Sequence, residues 1–248
     1  MLARLLRGLY LFQVIAGAVL GGFAAVHWAG QGRGASALLA VPIGAVVLPL
    51  ALQGVVITTT MLLARALGSR GPGTPFTLWL QALWGEFQAA LTVFMVRQPW
   101  ANGNPGVQMP LRDTAQVVHG KPVPVLLVHG YVCNHRVWDT VALALRQAGH
   151  PVLAIDLEPL FTSIDDYAAP IDNAVAELLE KSGGTQLALI GHSMGGLAIR
   201  AWMRAHGTTR VTKVITLGTP HQGTRLAGVS ATPNGAQMEW RSPWIKAL

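Results

Sequence analysis

Six consecutive residues, Gly191-His192-Ser193-Met194-Gly195-Gly196, set a serine hydroxyl between glycines two positions away on either side. That Gly-x-Ser-x-Gly spacing permits a sharp turn in which the serine side chain is lifted clear of the backbone, able to attack an electrophilic carbonyl. Glycines at 191 and 195 let the flanking elements approach without a β-carbon clash. A helix starting behind Ser193 aims free N–H groups and a positive dipole end at a developing oxyanion. The chemistry this spacing points to is acyl transfer through a serine nucleophile.

Such a turn needs a strand before it and a helix after it. Gln186-Leu187-Ala188-Leu189-Ile190 reads as a buried strand, and Leu197 to Arg204 as a helix carrying Leu197, Trp202 and Met203. Upstream, Pro124-Val125-Leu126-Leu127-Val128 reads as a second buried strand, ending at His129-Gly130-Tyr131. Val137 to Ala148 has helical spacing, with Val137, Val141, Leu145 and Ala148 on one face. Val152-Leu153-Ala154-Ile155 is the next strand and ends at Asp156. Ser163 with Asp166 resembles a capping box for a helix reaching Lys181, in which Pro170 predicts an early kink. Val211 to Leu217 is the last strand and ends at Gly218-Thr219-Pro220-His221. Strands alternating with helices predict an α/β fold with a doubly wound, mostly parallel sheet.

Three of these pieces together resemble the α/β-hydrolase fold, and within it the bacterial lipase and esterase group. They are Leu126 to Tyr131, the Gly191–Gly196 turn, and Leu217-Gly218-Thr219-Pro220-His221-Gln222-Gly223-Thr224, covering roughly residues 111–225. The resemblance implies that Ser193 is the nucleophile and that the backbone N–H of Met194 is one oxyanion donor. It places the second donor at the backbone N–H of Tyr131, leaving the Tyr131 and Met194 side chains to shape an acyl pocket. It gives His129 a structural role in the strand-end loop and turns His192 away from the serine. It puts His221 near the site without making it the base. Cys133 reads as a small packed residue, and Asp156 as a structural hydrogen-bonding group. No cofactor or metal is implied.

The N-terminal part has a different character. The chain is 51% hydrophobic and only 12% charged, with a mean hydropathy of +0.41. Residues 1–100 carry six Lys or Arg against the single acid Glu86, a net of +5, while the remainder nets +2. The basic excess sits beside apolar runs, so it marks membrane flanks and not a nucleic-acid footprint. Gly8 to Gly32 contains no Asp, Glu, Lys or Arg, only His27, and Gly34 to Ala64 has none of these. Both exceed the roughly 20 apolar residues that cross a bilayer, so residues 1–70 read as a transmembrane helical hairpin. A cleaved signal peptide, with Ala24, Ala25 and Ala29 near its end, and a buried soluble core are the rival readings. Pro42 and Pro49 predict kinks in the second helix.

Arg4, Arg7, Arg65 and Arg70 flank the hairpin and only Arg33 lies in its turn, which places both ends, and the hydrolase domain, on the cytoplasmic side. In a bacterial cell that membrane is the inner one. After a break at Ser69-Arg70-Gly71-Pro72-Gly73, Pro75 to Val96 is apolar and aromatic but holds Glu86 near its middle. A carboxylate at mid-bilayer costs about 2.5–3.5 kcal/mol, so this segment reads as an interfacial helix with tryptophans at headgroup depth; the alternative, a third span, puts everything downstream on the opposite side. Residues 71–110 then comprise that helix and a linker from Gln98 to Pro110, and 111–248 the hydrolase domain. Cys133 is the one cysteine, which excludes an intrachain disulfide.

The expected function is a membrane-anchored serine hydrolase acting on carboxylic, above all lipid, esters, with the bilayer and an ester substrate as partners and no nucleic acid. After Ser193 the only carboxylate is Glu239, and both later histidines, His206 and His221, precede it. The fold's order of serine, then acid, then histidine therefore cannot be read. This predicts a C-terminally incomplete hydrolase, with Trp240 to Leu248 as the entry to a further helix or lid. It also supports an alternative, a catalytically incomplete membrane protein that binds or scaffolds.

Overall fold

The computed structural model describes residues 1–32, 34–67, 73, 75–111 and 122–248. Arg33, Arg70 and the Ser69–Pro72 break lie outside the described residues, as do residues 112–121 at the expected domain start. Two compact units form, Ala3–Pro99 and Trp100–Leu248, the latter taking in Met1–Leu2.

In the first unit, α1 (Leu2–Gly30) and α2 (Gly34–Leu67) are long, almost wholly apolar helices, and α3 (Phe76–Ala90) follows. Leu2–Gly30 and Ala37–Ala66 are long and apolar enough to cross a membrane, which is compatible with a transmembrane hairpin. The helices meet through small residues. A Cβ on Gly17 would overlap the backbone of Gly44, and one on Gly21 the backbone of Ala40. That descending order makes the pair antiparallel. Pro42 and Pro49 both lie inside α2. α3 continues through a π-helical turn, Leu91–Arg97, and buries none of its own residues; Glu86 is exposed.

The second unit is a four-stranded parallel sheet of β1 (Val125–Val128), β2 (Val152–Ile155), β3 (Leu187–His192) and β4 (Val211–Leu217), in the order β2-β1-β3-β4. Alternate residues face opposite layers. Leu126, Val128, Leu153 and Leu189 pack against α5 (Ala168–Ser182) and α6 (Met194–His206). Val125, Leu127, Val152 and Ile190 pack on the other face, against Trp138 and Ala142. The sheet is thus wound on both sides. Gln108, within the expected linker, exchanges both backbone hydrogen bonds with Val152 and so extends the β2 edge.

Several local expectations change. β3 runs on through Gly191 and His192, and α6 begins at Met194 rather than Leu197, so Ser193 alone forms the turn. Helix α4 (Asp139–Gln147) follows a 3-10 turn, His135–Trp138. Its inward line is Trp138, Ala142 and Leu145, with Val141 and Ala148 exposed, because the large Trp138 ring takes the place against the sheet. Ser163 does cap, accepting from Asp165 N at 3.3 Å, but the Asp166 carboxylate bonds Thr162 instead of closing a box. Pro170 falls in the first turn of α5, where its missing N–H has no intrahelical partner to lose. Of the two readings of Trp240–Leu248, a further helix or a lid, the segment takes the helical one. It contributes α8 (Pro243–Ala247), capped by Ser242, with Ile245 buried in the main core.

Candidate active site

Ser193 stands between β3 and α6 at φ 52° and ψ −124°, a region a side chain enters only under constraint. The constraint is visible on every side. Its N–H donates to Leu217 O at 2.8 Å, and its own carbonyl accepts from Gly196 N at 3.1 Å. A Cβ on Gly191 would lie 2.7 Å from Gly196 Cα, one on Gly195 would overlap the Val128 and His129 carbonyls, and one on Gly196 would overlap the Thr219 side chain. The second glycine of the Gly195-Gly196 pair is therefore needed to seat the loop after β4.

The loop after β1 passes directly against the serine, since a Cβ on Gly130 would sit 2.9 Å from Ser193 Cβ. Tyr131 follows Gly130, and Met194 opens α6, where first-turn amides have no intrahelical acceptor. The next residue, Val132, is also left-handed at φ 51°. For a β-branched side chain that is costly, so the loop's path is imposed by its surroundings.

A cavity of about 400 Å³ opens beside these residues, lined by Ser193, Tyr131, Pro220, Leu226, Ala227 and Met238, among others. Tyr131 is among the lining residues. The Met194 side chain is not: it is buried in the main core, where Asn234 Nδ2 approaches its sulfur at 3.7 Å. Residue 194 begins a helix whose inward face is the sheet, and its side chain follows that face.

Each described histidine of this unit is engaged away from Ser193. His129 is buried, its Nδ1 donating to Gly130 O at 2.8 Å and its Nε2 accepting from Leu157 N at 2.9 Å. Burial is the largest influence on it and pulls its pKa down, against the raising effects of the Gly130 bond and the Asp156 charge. His192 meets the Trp138 ring edge-on, at 6.4 Å between centroids. His221 is exposed, with Nε2 3.1 Å from Thr216 Oγ1 and Nδ1 3.4 Å from Arg200 Nη1. His206 stacks on Trp202 and lies 3.5 Å from Asp172. His150 Nδ1 donates to Val123 O.

Asp156 accepts from His135 N at 2.6 Å and lies 3.0 Å from His135 Nδ1. Burial alone raises its carboxyl, but the His135 bonds and charge outweigh that, and the pKa is lowered. Burial pushes the Cys133 thiol up to about 11, the Gly130 hydrogen bond opposing, so it is a packed group and not a thiolate nucleophile. Glu239 is exposed.

Sequence reasoning missed the cavity wall at 226–238. Thr232 caps α7 (Pro233–Gln237), accepting from Gly235 N, and its hydroxyl lies 3.2 Å from Tyr131 OH. Asn234 is fully buried and donates to Leu160 O at 2.8 Å. Thr232-Pro233 is a helix-start signature, and it was the one available signal.

Residues 123–234 match the family described as alpha/beta hydrolase fold, and the parallel, doubly wound sheet with its strand–serine–helix turn is that fold. The chain is 28% identical over 128 residues to a non-heme haloperoxidase of Rhodococcus erythropolis, covering 48% of this chain and 43% of that protein. It is 33% identical over 113 residues to a triacylglycerol lipase of Pseudarthrobacter phenanthrenivorans, covering 42% of this chain and 35% of that protein. A solved Bacillus licheniformis lipase, BlEst2 in mature form, is similar with a TM-score of 0.48 at 23% identity, over 58% of this chain and 64% of that one. The chain thus spans less than half the length of these two curated relatives.

Proposed function

We propose that the protein is a membrane-anchored serine hydrolase that cleaves carboxylic esters, lipid esters foremost. The observation that carries this reading is Ser193, held left-handed between β3 and α6 at the wall of an apolar cavity with the Gly130 loop against it. Ser193 Oγ attacks the ester carbonyl, and the Met194 and Tyr131 backbone N–H groups take the charge that develops on its oxygen. Collapse breaks the ester C–O bond, the leaving oxygen takes up the serine's proton and departs as the alcohol, and water then cleaves the acyl-serine, releasing the acid and returning a proton to Ser193 Oγ. The triacylglycerol lipase relatives favour lipid esters, and α1 with α2 tethers the domain where such esters are concentrated. The flanking arginines favour a cytoplasmic domain.

Among the described residues none hydrogen-bonds Ser193 as a base, and each described histidine is committed elsewhere. The same observation favours the second reading, a hydrolase-like membrane protein that binds without turnover. The two separate on a p-nitrophenyl ester assay of membranes carrying the full chain. Oxyanion stabilisation and binding alone leave roughly 10³–10⁴ over water even without the serine, so the part of the hydrolysis that Ser193→Ala removes is what supports the enzyme. Hydrolysis unchanged by Ser193→Ala contradicts it.

A further inference from the structure

The oxyanion donor assigned to Tyr131 N–H is one half of a peptide group whose other half is the Gly130 carbonyl. In a trans peptide the two point opposite ways, so whatever holds the carbonyl also aims the N–H. His129 holds it. Leu157 N donates to His129 Nε2 at 2.9 Å, which leaves the ring proton on Nδ1, and Nδ1 donates to Gly130 O at 2.8 Å. Gly130 is at the same time pressed against Ser193.

That grip acts only at the near end of the loop. Val132, two residues beyond Gly130, stands at φ 51°, which a β-branched residue keeps only where its surroundings over-determine it. The far end is His135. Asp156 Oδ1 accepts from His135 N at 2.6 Å, and both carboxylate oxygens lie 3.0 Å from His135 Nδ1. A carboxylate bonds more strongly than a neutral acceptor, and His135 is only 6% exposed, so water competes little for these bonds. The same carboxylate stands 3.9 Å from His129 Nε2. Two consecutive residues at the end of β2, Asp156 and Leu157, thus receive both ends of the loop. Releasing the His135 end would let Val132 return to an ordinary φ, and the Tyr131 N–H would turn with the loop.

We propose that Asp156 is a positioning residue for the oxyanion donor: by holding His135 it keeps Val132 left-handed and the Tyr131 N–H aimed at the oxygen on which charge develops. The proposal rests on the ester-hydrolase reading of the Ser193 site and adds to it a residue outside the serine turn. Asp156 acts through His135 and not on the substrate.

The test compares two probes on membranes carrying the full chain, a fluorophosphonate and its thiono analogue, in which sulfur replaces the P=O oxygen. Sulfur is the weaker acceptor, so the ratio of the two rates at Ser193 reports the oxyanion donors, and any loss of folded protein cancels. Removing one such donor costs about 10²–10³ in rate. A displaced donor costs less, and Asp156→Ala is expected to lower the oxygen-to-sulfur ratio about tenfold. Asp156→Asn keeps an acceptor for His135 N, so it should lower the ratio less, and it serves if the alanine variant does not fold. Asp172→Ala removes a carboxylate that binds Trp202 and Arg210 instead, and should leave the ratio unchanged. Hydrogen exchange on the same membranes should speed up over residues 129–138 in both Asp156 variants and stay as it is over 187–206. A ratio unmoved by both Asp156 variants, a ratio lowered as much by Asp172→Ala, or unchanged exchange at 129–138 overturns the proposal. If the wild-type chain takes no adduct, the hydrolase reading falls, and exchange at 129–138 alone then decides whether Asp156 anchors the loop.

Discussion

Holding Ser193 at φ 52° costs the fold on the order of 1–3 kcal/mol, and the neighbours that impose it are glycines instead of bulky groups. A Cβ at Gly195 has no room beside the Val128 and His129 carbonyls, so Gly195→Ala must push β1 and α6 apart. Overpacking of this kind costs roughly 1–3 kcal/mol, or a Tm lower by about 2–4 °C per kcal/mol. Thermal unfolding checks this, and an unchanged Tm would mean that the turn is looser than it looks. His129 gives a pH dependence. Its folded pKa is depressed, so the unfolded chain binds more protons between the folded value and the ordinary 6.5. Stability is therefore complete above about pH 6.5 and falls as the pH drops through that range toward the folded pKa. Protonation must break the Leu157 N–H bond to Nε2. A Tm that rises on acidification from pH 7 to 5.5 contradicts this assignment.

At the scale of elements, the hairpin closes through small residues four apart. Gly17 and Gly21 on α1 meet Gly44 and Ala40 on α2, the small-xxx-small spacing that lets membrane helices approach closely. Gly17→Leu or Gly44→Leu should separate the helices and weaken cysteine crosslinking between introduced pairs on either side, whereas Gly22→Leu, with open space around it, should not. In the second unit the strands were legible because fully buried parallel strands are short apolar runs such as Val125–Val128, and the serine turn because its glycine spacing is specific. The α4 face was not, since Val141 and Ala142 are equally plausible inward residues until Trp138 is seen to occupy the sheet face. Met194 was misplaced for a similar reason: its role belongs to the backbone, and its side chain answers to packing. The wall at 226–238 was illegible because its cohesion is long-range, through Asn234 to Leu160 and Gln237 to Ile164. Local patterning carries no trace of such contacts.

For the whole molecule, α1 and α2 expose apolar side chains along their length, with 11% and 17% of their most apolar windows buried. That exposure is compatible with the membrane hairpin proposed above. Carbonate-washed membranes should retain the protein, and a chain starting near residue 100 should lose that attachment; release of the full chain by carbonate runs against the anchor. The function proposed for the molecule nonetheless hangs on one oxygen atom. Membranes carrying the full chain can be treated with a fluorophosphonate and the modified residue located by mass spectrometry. The expected result is slow phosphonylation confined to Ser193 and absent from Ser193→Ala. An adduct on another residue, labelling that survives Ser193→Ala, or none after prolonged exposure contradicts Ser193 as the nucleophile.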